Sequence, residues 1–353
     1  MVAAAFLRRA AAGNRFRGIT ATQISRSYHA DAAKPEAETG DPRRSPHKRQ
    51  SDVRPQLPTA PADRRAVPDR CRARDRPDGR PHTLLPDPKG RAALAEYFRG
   101  FLRLAREAGT GFILDAPTWK AHPCWSQELG EDETALRLAN HEAVAFAATL
   151  RDEFAGTQPI LLNAPVGPHG GAGRREMTAE QARDYHAVQM GWLAKTDVDL
   201  VTATTHVASA EAIGFSRAAS DAWLRHVVSF TVETDGRLPS GETLAEAIRR
   251  VDFATSAAPA YYMVNCAKPD HFPARLEDEV WARRIRGLRC APAREGDAER
   301  GDCGALAPGD AKEFGRLVAE MRARMPWMNV FGGSCGADLR HAGELSQALR
   351  AAA

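Results

Sequence analysis

From Arg91 to the C-terminus, short apolar runs of strand length alternate with longer segments carrying apolar residues at helical spacing. That alternation restricts the chain to a parallel α/β sheet with helices packed on it. The first helical segment covers about 91–108, with Leu94, Tyr97, Phe98, Phe101, Leu102 and Ala105 on one face and Gly109 and Gly111 to stop it. Strand-length runs follow at 111–115, 159–163, 199–203, 226–232, 260–265, 284–289 and 328–331. Helical patterns separate them at 132–154, from Thr178, at 209–222, from Ser240 and at 310–324, and a last one runs over 338–351. Thr178 three residues before Gln181 is a capping-box pair.

Seven strands and a closing helix in about 260 residues predict a (β/α)8 TIM barrel whose first strand is missing or degenerate. An open doubly wound sheet is the alternative. The barrel domain is expected over 83–353. Residues 31–82 read as a disordered Pro/Arg-rich linker: ten of the 23 prolines lie between Asp41 and Gly90, and no apolar period appears. Residues 1–30 carry Arg8, Arg9, Arg15, Arg17 and Arg26 with no acidic residue before Asp31, the composition of a mitochondrial transit peptide. Import into mitochondria is therefore the expectation, a disordered basic tail in a cytoplasmic protein the alternative. The basic excess sits mostly in the first 90 residues, so the folded part offers no nucleic-acid surface. No apolar run reaches the ~18 residues of a membrane-spanning helix. The six cysteines are irregularly spaced in a long chain, which reads as reduced thiols.

In a barrel, the residues just after each strand share one mouth, and active sites lie there. The polar and special residues of this chain cluster at such positions: Asp115, Asn163, Glu233 with Asp235, Asn265-Cys266, and Gly332-Gly333-Ser334-Cys335-Gly336. Two thiolates at one mouth, Cys266 and Cys335, form a candidate zinc site, although two distant cysteines are also ordinary core residues. Asp115 is a candidate for a substrate amine, or caps the turn at Pro117. Glu233 and Asp235 are candidates for a substrate ammonium, or are solvated loop carboxylates. Tyr261 and Tyr262 read as wall packing, with an aromatic face toward a cationic methyl donor as the functional reading. His186 lies in a helical stripe and reads as structural, and His206 after a strand is an acid–base candidate. The loop from Val166 to Gly171 lacks the Lys and Ser/Thr of a phosphate loop.

Asn265-Cys266 followed some seventy residues later by Gly-Gly-Ser-Cys-Gly resembles the homocysteine S-methyltransferase family, whose pattern is Asn-Cys and then Gly-Gly-Cys-Cys-Gly. Asp115-Ala-Pro-Thr-Trp119, Val166-Gly-Pro-His169, Tyr185-His-Ala-Val-Gln189, Ser229 to Asp235 and Pro259-Ala-Tyr-Tyr262 extend the likeness over about Thr83 to Ala351. The resemblance implies a barrel that binds zinc through three cysteines and homocysteine sulfur as the fourth ligand. The thiolate then takes a methyl group from a sulfonium, ammonium or folate donor, giving methionine. Carried over, the metal ligands are Cys266 and Cys335 with Ser334 in the third place, and Asp115, Asn265, Glu233 and Tyr261 are the substrate-binding candidates.

Three departures accompany the likeness. Ser334 replaces a thiolate, and Cys303, Cys290 and His271 are candidates to substitute for it. No strand ending Asp-Gly-Gly precedes Thr83, and residues 51–82 read there as a segment in an altered frame. Val201-Thr-Ala-Thr-Thr-His206 stands where the family places an acidic residue. A defective homologue retaining at most amino-acid binding is the second functional reading, and a zinc-independent barrel enzyme the third. Oligomeric state is not set by the sequence.

Overall fold

The structure is a computed structural model that describes residues 59–60, 81–156, 158–169, 177–269, 279–292, 309–334 and 336–351. Eight parallel strands form one sheet in sequential order. They are β1 (Thr59–Ala60), β2 (Phe112–Asp115), β3 (Ile160–Val166), β4 (Leu200–His206), β5 (His226–Thr231), β6 (Tyr262–Asn265), β7 (Ile285–Cys290) and β8 (Val330–Gly333). The helices are α1 (Pro88–Ala108), the single turn α2 (Ser126–Leu129), α3 (Glu133–Glu153), α4 (Ala179–Leu193), α5 (Ser209–Asp221), α6 (Leu244–Thr255), α7 (Ala311–Arg324) and α8 (Leu339–Ala351). No helix among the described residues is long and apolar enough to cross a membrane. This is a TIM-like barrel with a degenerate first strand.

The first strand lies inside the stretch read from sequence as linker. Thr59 pairs with Ile113 and Ala60 with Leu114. Two residues are too short for any period to register, and the Pro/Arg texture around them hides the strand. No ladder joins β1 to β8 among the described residues.

Two boundaries differ from the sequence pattern. Helix α6 opens at Leu244 rather than near Ser240, because Gly241 N–H closes a turn onto Leu238 (2.7 Å) before the Thr243–Glu246 capping box starts the helix. Strand β8 begins at Val330, because Met328 N–H still bonds the Met325 carbonyl at the end of α7 (3.0 Å).

Strand alternation sorts side chains to two sides of the wall. Phe112, Leu114, Leu162, Val201, Val228, Phe230, Tyr262, Val264, Leu288 and Phe331 point outward into one large core shared with the helices. Ile113, Leu200, Val227, Tyr261, Met263 and Val330 point inward and plug the barrel floor. At Gly287 a Cβ would stand 2.7 Å from the Met263 side chain, so only glycine lets β7 close against this plug.

Candidate active site

One step further along each strand, the inward positions change from apolar to polar. Asp115, Asn163, Thr202, Ser229, Asn265 and Arg289 are all buried there, above the apolar floor and toward the strand C-termini. Asp115 lies opposite Asn163, and Asn265 opposite both Thr231 and Arg289, in the strand register. The polar layer is thus a product of where each strand places its third, fourth or fifth residue.

Two hydrogen-bonded groups make up this layer. In the first, Arg289 donates to Asp115 Oδ2 (2.7 Å), Asn163 donates to Asp115 Oδ1 (2.6 Å), and Thr202 donates to Asn163 Oδ1 (2.8 Å). Burial pushes the Asp115 carboxyl above the usual carboxylate range, against the pull of Arg289 and Asn163. Asp115 therefore spends both oxygens inside the fold and acts by holding Arg289. Arg289 Nε and one terminal nitrogen find no hydrogen-bond partner, although the side chain is fully buried.

The second group positions Cys266. Asn265 Oδ1 accepts from Ser229 Oγ (2.5 Å) and from the Thr205 amide (3.4 Å). Its Nδ2 donates to Thr231 Oγ1 (2.9 Å) and to Cys266 Sγ (3.2 Å). Every polar atom of Asn265 is used to aim its neighbour. Cys266 itself has φ 59°, a left-handed conformation that a side chain rarely adopts, and is half-buried.

Cys266 and the Ser334 turn flank the end of β7. Cys266 N–H bonds the Arg289 carbonyl (3.1 Å), and Ser334 N–H bonds the next carbonyl, Cys290 (2.7 Å). With strands ~4.8 Å apart, the two segments stand ~10 Å from each other across one intervening strand. Ser334 is fully buried, and its hydroxyl has no hydrogen-bond partner. Cys335 lies outside the described residues, as do Cys303 and His271. Cys290 packs in the outward core, so it is not placed to replace the lost thiolate.

The remaining sequence candidates separate. Tyr261 belongs to the barrel floor, its hydroxyl buried without a partner and its phenol pushed up by burial and by Asp115. Glu233 opens a tight turn after β5, its amide bonding the Arg237 carbonyl (2.7 Å). Asp235 is exposed and caps that same turn through the Arg237 amide (2.9 Å), which is the loop reading. Tyr262 points outward, stacks on Phe230 and bonds Asp252 (2.7 Å). Part of the motif resemblance is scaffold. Gln189 of α4 donates to the Thr118 carbonyl (3.0 Å) and Thr118 donates to the Pro165 carbonyl (2.7 Å), tying together the loops after β2 and β3. Asn163 was noted from sequence only as a strand-end polar residue, and Arg289, Thr202 and Thr231 were not singled out. The only signal for Arg289 was an arginine at odd spacing from Arg286 in an otherwise apolar run, which puts one of the two inside.

A parallel barrel with a polar upper layer and a cysteine after β6 has the architecture on which TIM-barrel enzymes are built. The sequence profile of the family described as Homocysteine S-methyltransferase matches residues 68–349, and the chain belongs to that family. Among solved structures it is similar to the homocysteine methyltransferase MmuM from Escherichia coli. The metallated form is 14% identical, with 77% of this chain and 88% of that chain covered and a TM-score of 0.57. The oxidized form is 16% identical, with 76% and 87% covered and a TM-score of 0.56. At these identities the likeness speaks for the fold. A search of curated protein sequences gave no match.

The family's zinc can be tested against this donor set. Among the described residues, one oriented sulfur, Cys266, and one orphaned buried hydroxyl, Ser334, stand on either side of β7, and Cys335 follows Ser334 in the sequence. A thiolate and a hydroxyl are a donor chemistry that zinc accepts, with a weaker grip than thiolates alone, because a serine hydroxyl keeps its proton near pH 7.

Proposed function

We propose that the protein transfers a methyl group to the thiol of homocysteine, forming methionine, with zinc held by Cys266 and Cys335 and with Ser334 in the third place. The observation that supports this most is the pair of backbone bonds that seat Cys266 and Ser334 on successive carbonyls of β7. Bound zinc would supply a deprotonated substrate thiol at neutral pH. The chain's own residues do the rest. Asn265 fixes the Cys266 sulfur, and Asp115 holds Arg289 so that its two unpartnered nitrogens, Nε and Nη1, meet a substrate carboxylate. Glu233 at the end of β5 is assigned to the substrate ammonium. The new S–CH3 bond forms as the donor's bond to that carbon breaks, the electron pair staying on the donor's sulfur or nitrogen, which leaves as a thioether, an amine or a demethylated folate whose nitrogen takes up a proton.

The test is methyl transfer to homocysteine from one donor of each class, with the methionine formed quantified. Turnover with one donor, abolished by Cys266→Ala in a folded variant, supports the reading. Turnover that survives Cys266→Ala, or none with any donor in zinc-loaded protein, overturns it.

A further inference from the structure

On the helix side of the barrel wall, away from the polar interior, a second cluster of metal-type ligands comes together. It begins with a defect in β4. The register with β5 shifts between Ala203 and His206, and Thr205 adopts φ 64°. Thr202 points inward by alternation, and an unbroken strand would send His206 the same way. The irregularity turns His206 outward instead, onto Phe215 of α5 and His186 of α4, with ring centroids 5.7 and 5.5 Å away. Glu211, in the first turn of α5, completes the group.

One ligand atom from each of His186, His206 and Glu211 lies within 4.8 Å of the other two. His186 Nε2 stands 3.4 Å from Glu211 Oε1, matching the ~3.4 Å edge of a tetrahedron with nitrogen and oxygen ligands ~2.1 Å from a zinc ion. Both imidazoles are fully buried, and none of their four ring nitrogens has a hydrogen-bond partner at ordinary geometry. Buried polar groups are almost always partnered, so two touching rings with none call for a missing ligand. Glu211 is already oriented: Oε1 accepts the His169 amide at 2.7 Å. The His169 ring packs edge-on against Tyr185, which packs edge-on against His186, and His169 Nδ1 is likewise buried without a hydrogen bond.

We propose that His186, His206 and Glu211 form a second metal site, for a divalent cation of the zinc class. Imidazole and carboxylate together suit zinc, cobalt or nickel, whereas calcium and magnesium call for oxygen ligands alone. Such an ion would tie α4 to the end of β4 and the start of α5, and so brace the rim beside the site described above. It shares no ligand with Cys266 and Cys335, so either site can fail without the other.

The experiment uses the full chain with Cys266→Ser and Cys335→Ser, stripped with chelator and titrated with zinc chloride by calorimetry. Cobalt spectra and melting temperature are recorded alongside. One equivalent of zinc, a rise in melting temperature, and tetrahedral cobalt bands without thiolate charge transfer are expected. Binding should weaken at least tenfold in Glu211→Gln and in His206→Gln. If His206→Gln does not fold, Glu211→Gln, which changes only the charge of a side chain at the cluster's edge, carries the comparison. No zinc uptake in the Cys266→Ser, Cys335→Ser protein, or uptake unchanged by Glu211→Gln, overturns the proposal.

Discussion

The Arg289–Asp115 pair shows at residue scale how the interior is set. Two opposite charges, both fully buried, lie 2.7 Å apart at the top of the barrel. Such a pair adds little net stability over an apolar replacement, but removing one partner strands the other charge in a dry interior. Arg289→Met is therefore expected to cost about 3–5 kcal/mol, read from urea denaturation. Arg289→Met combined with Asp115→Asn should recover part of that loss, since an amide can still meet Asn163. Equal destabilisation in the single and double variants would contradict the pairing. None of this was legible from the residues alone. Asp115 read as a substrate anchor because it ends a strand, and its partner lies 174 positions away, a separation that no local pattern encodes. Asn265 was legible as a site residue through the Asn-Cys motif. Its role in aiming the cysteine came only with Ser229 and Thr231 in place.

At the scale of elements, the strands and helices from α1 onward fell within a few residues of the sequence pattern, because each buries one face and its period follows. What the pattern missed has a common cause. Strand β1 is two residues long, below the length at which alternation can be read. The β4 irregularity is invisible to a period-two reading, which would have sent His206 into the barrel with Thr202 and Thr204. That one backbone turn takes His206 away from the mouth and gives it His186, Glu211 and a wall of helix instead. Cys266 carries a similar turn at the end of β6, with φ 59°. Two strand ends thus carry a residue in a rare backbone conformation, Thr205 before His206 and Cys266 itself, where the sequence showed only a Thr-Thr-His or Asn-Cys string.

The whole molecule carries an unusual load of buried histidine. Burial lowers His122 to about 4, His186 to about 3, His206 to about 4 and His226 to about 4. A depressed imidazole favours the fold while the unfolded chain is also neutral, that is, above the ordinary value of ~6.5. As pH falls below that, the unfolded chain takes up protons that the fold resists, and the advantage is lost by the time the folded values are reached. Asp338 acts in a lower window: burial pushes it up, but Arg340 and His341 outweigh that and hold it at about 2. In chelator, the melting temperature should therefore fall steeply between pH 7 and 4, and His226→Phe should flatten part of that slope. A melting temperature constant from pH 7 to 4 would contradict the buried neutral histidines.

At this same scale stands the central claim, that one barrel mouth brings Cys266 and the Ser334–Cys335 turn onto a common zinc ion. X-ray absorption at the zinc edge, on protein carrying Glu211→Gln to weaken the histidine site, tests it most directly. The expected result is a zinc shell containing two sulfurs in the unmodified mouth and three after Ser334→Cys. A shell of nitrogen and oxygen alone, or one whose sulfur count does not respond to Ser334→Cys, would contradict it.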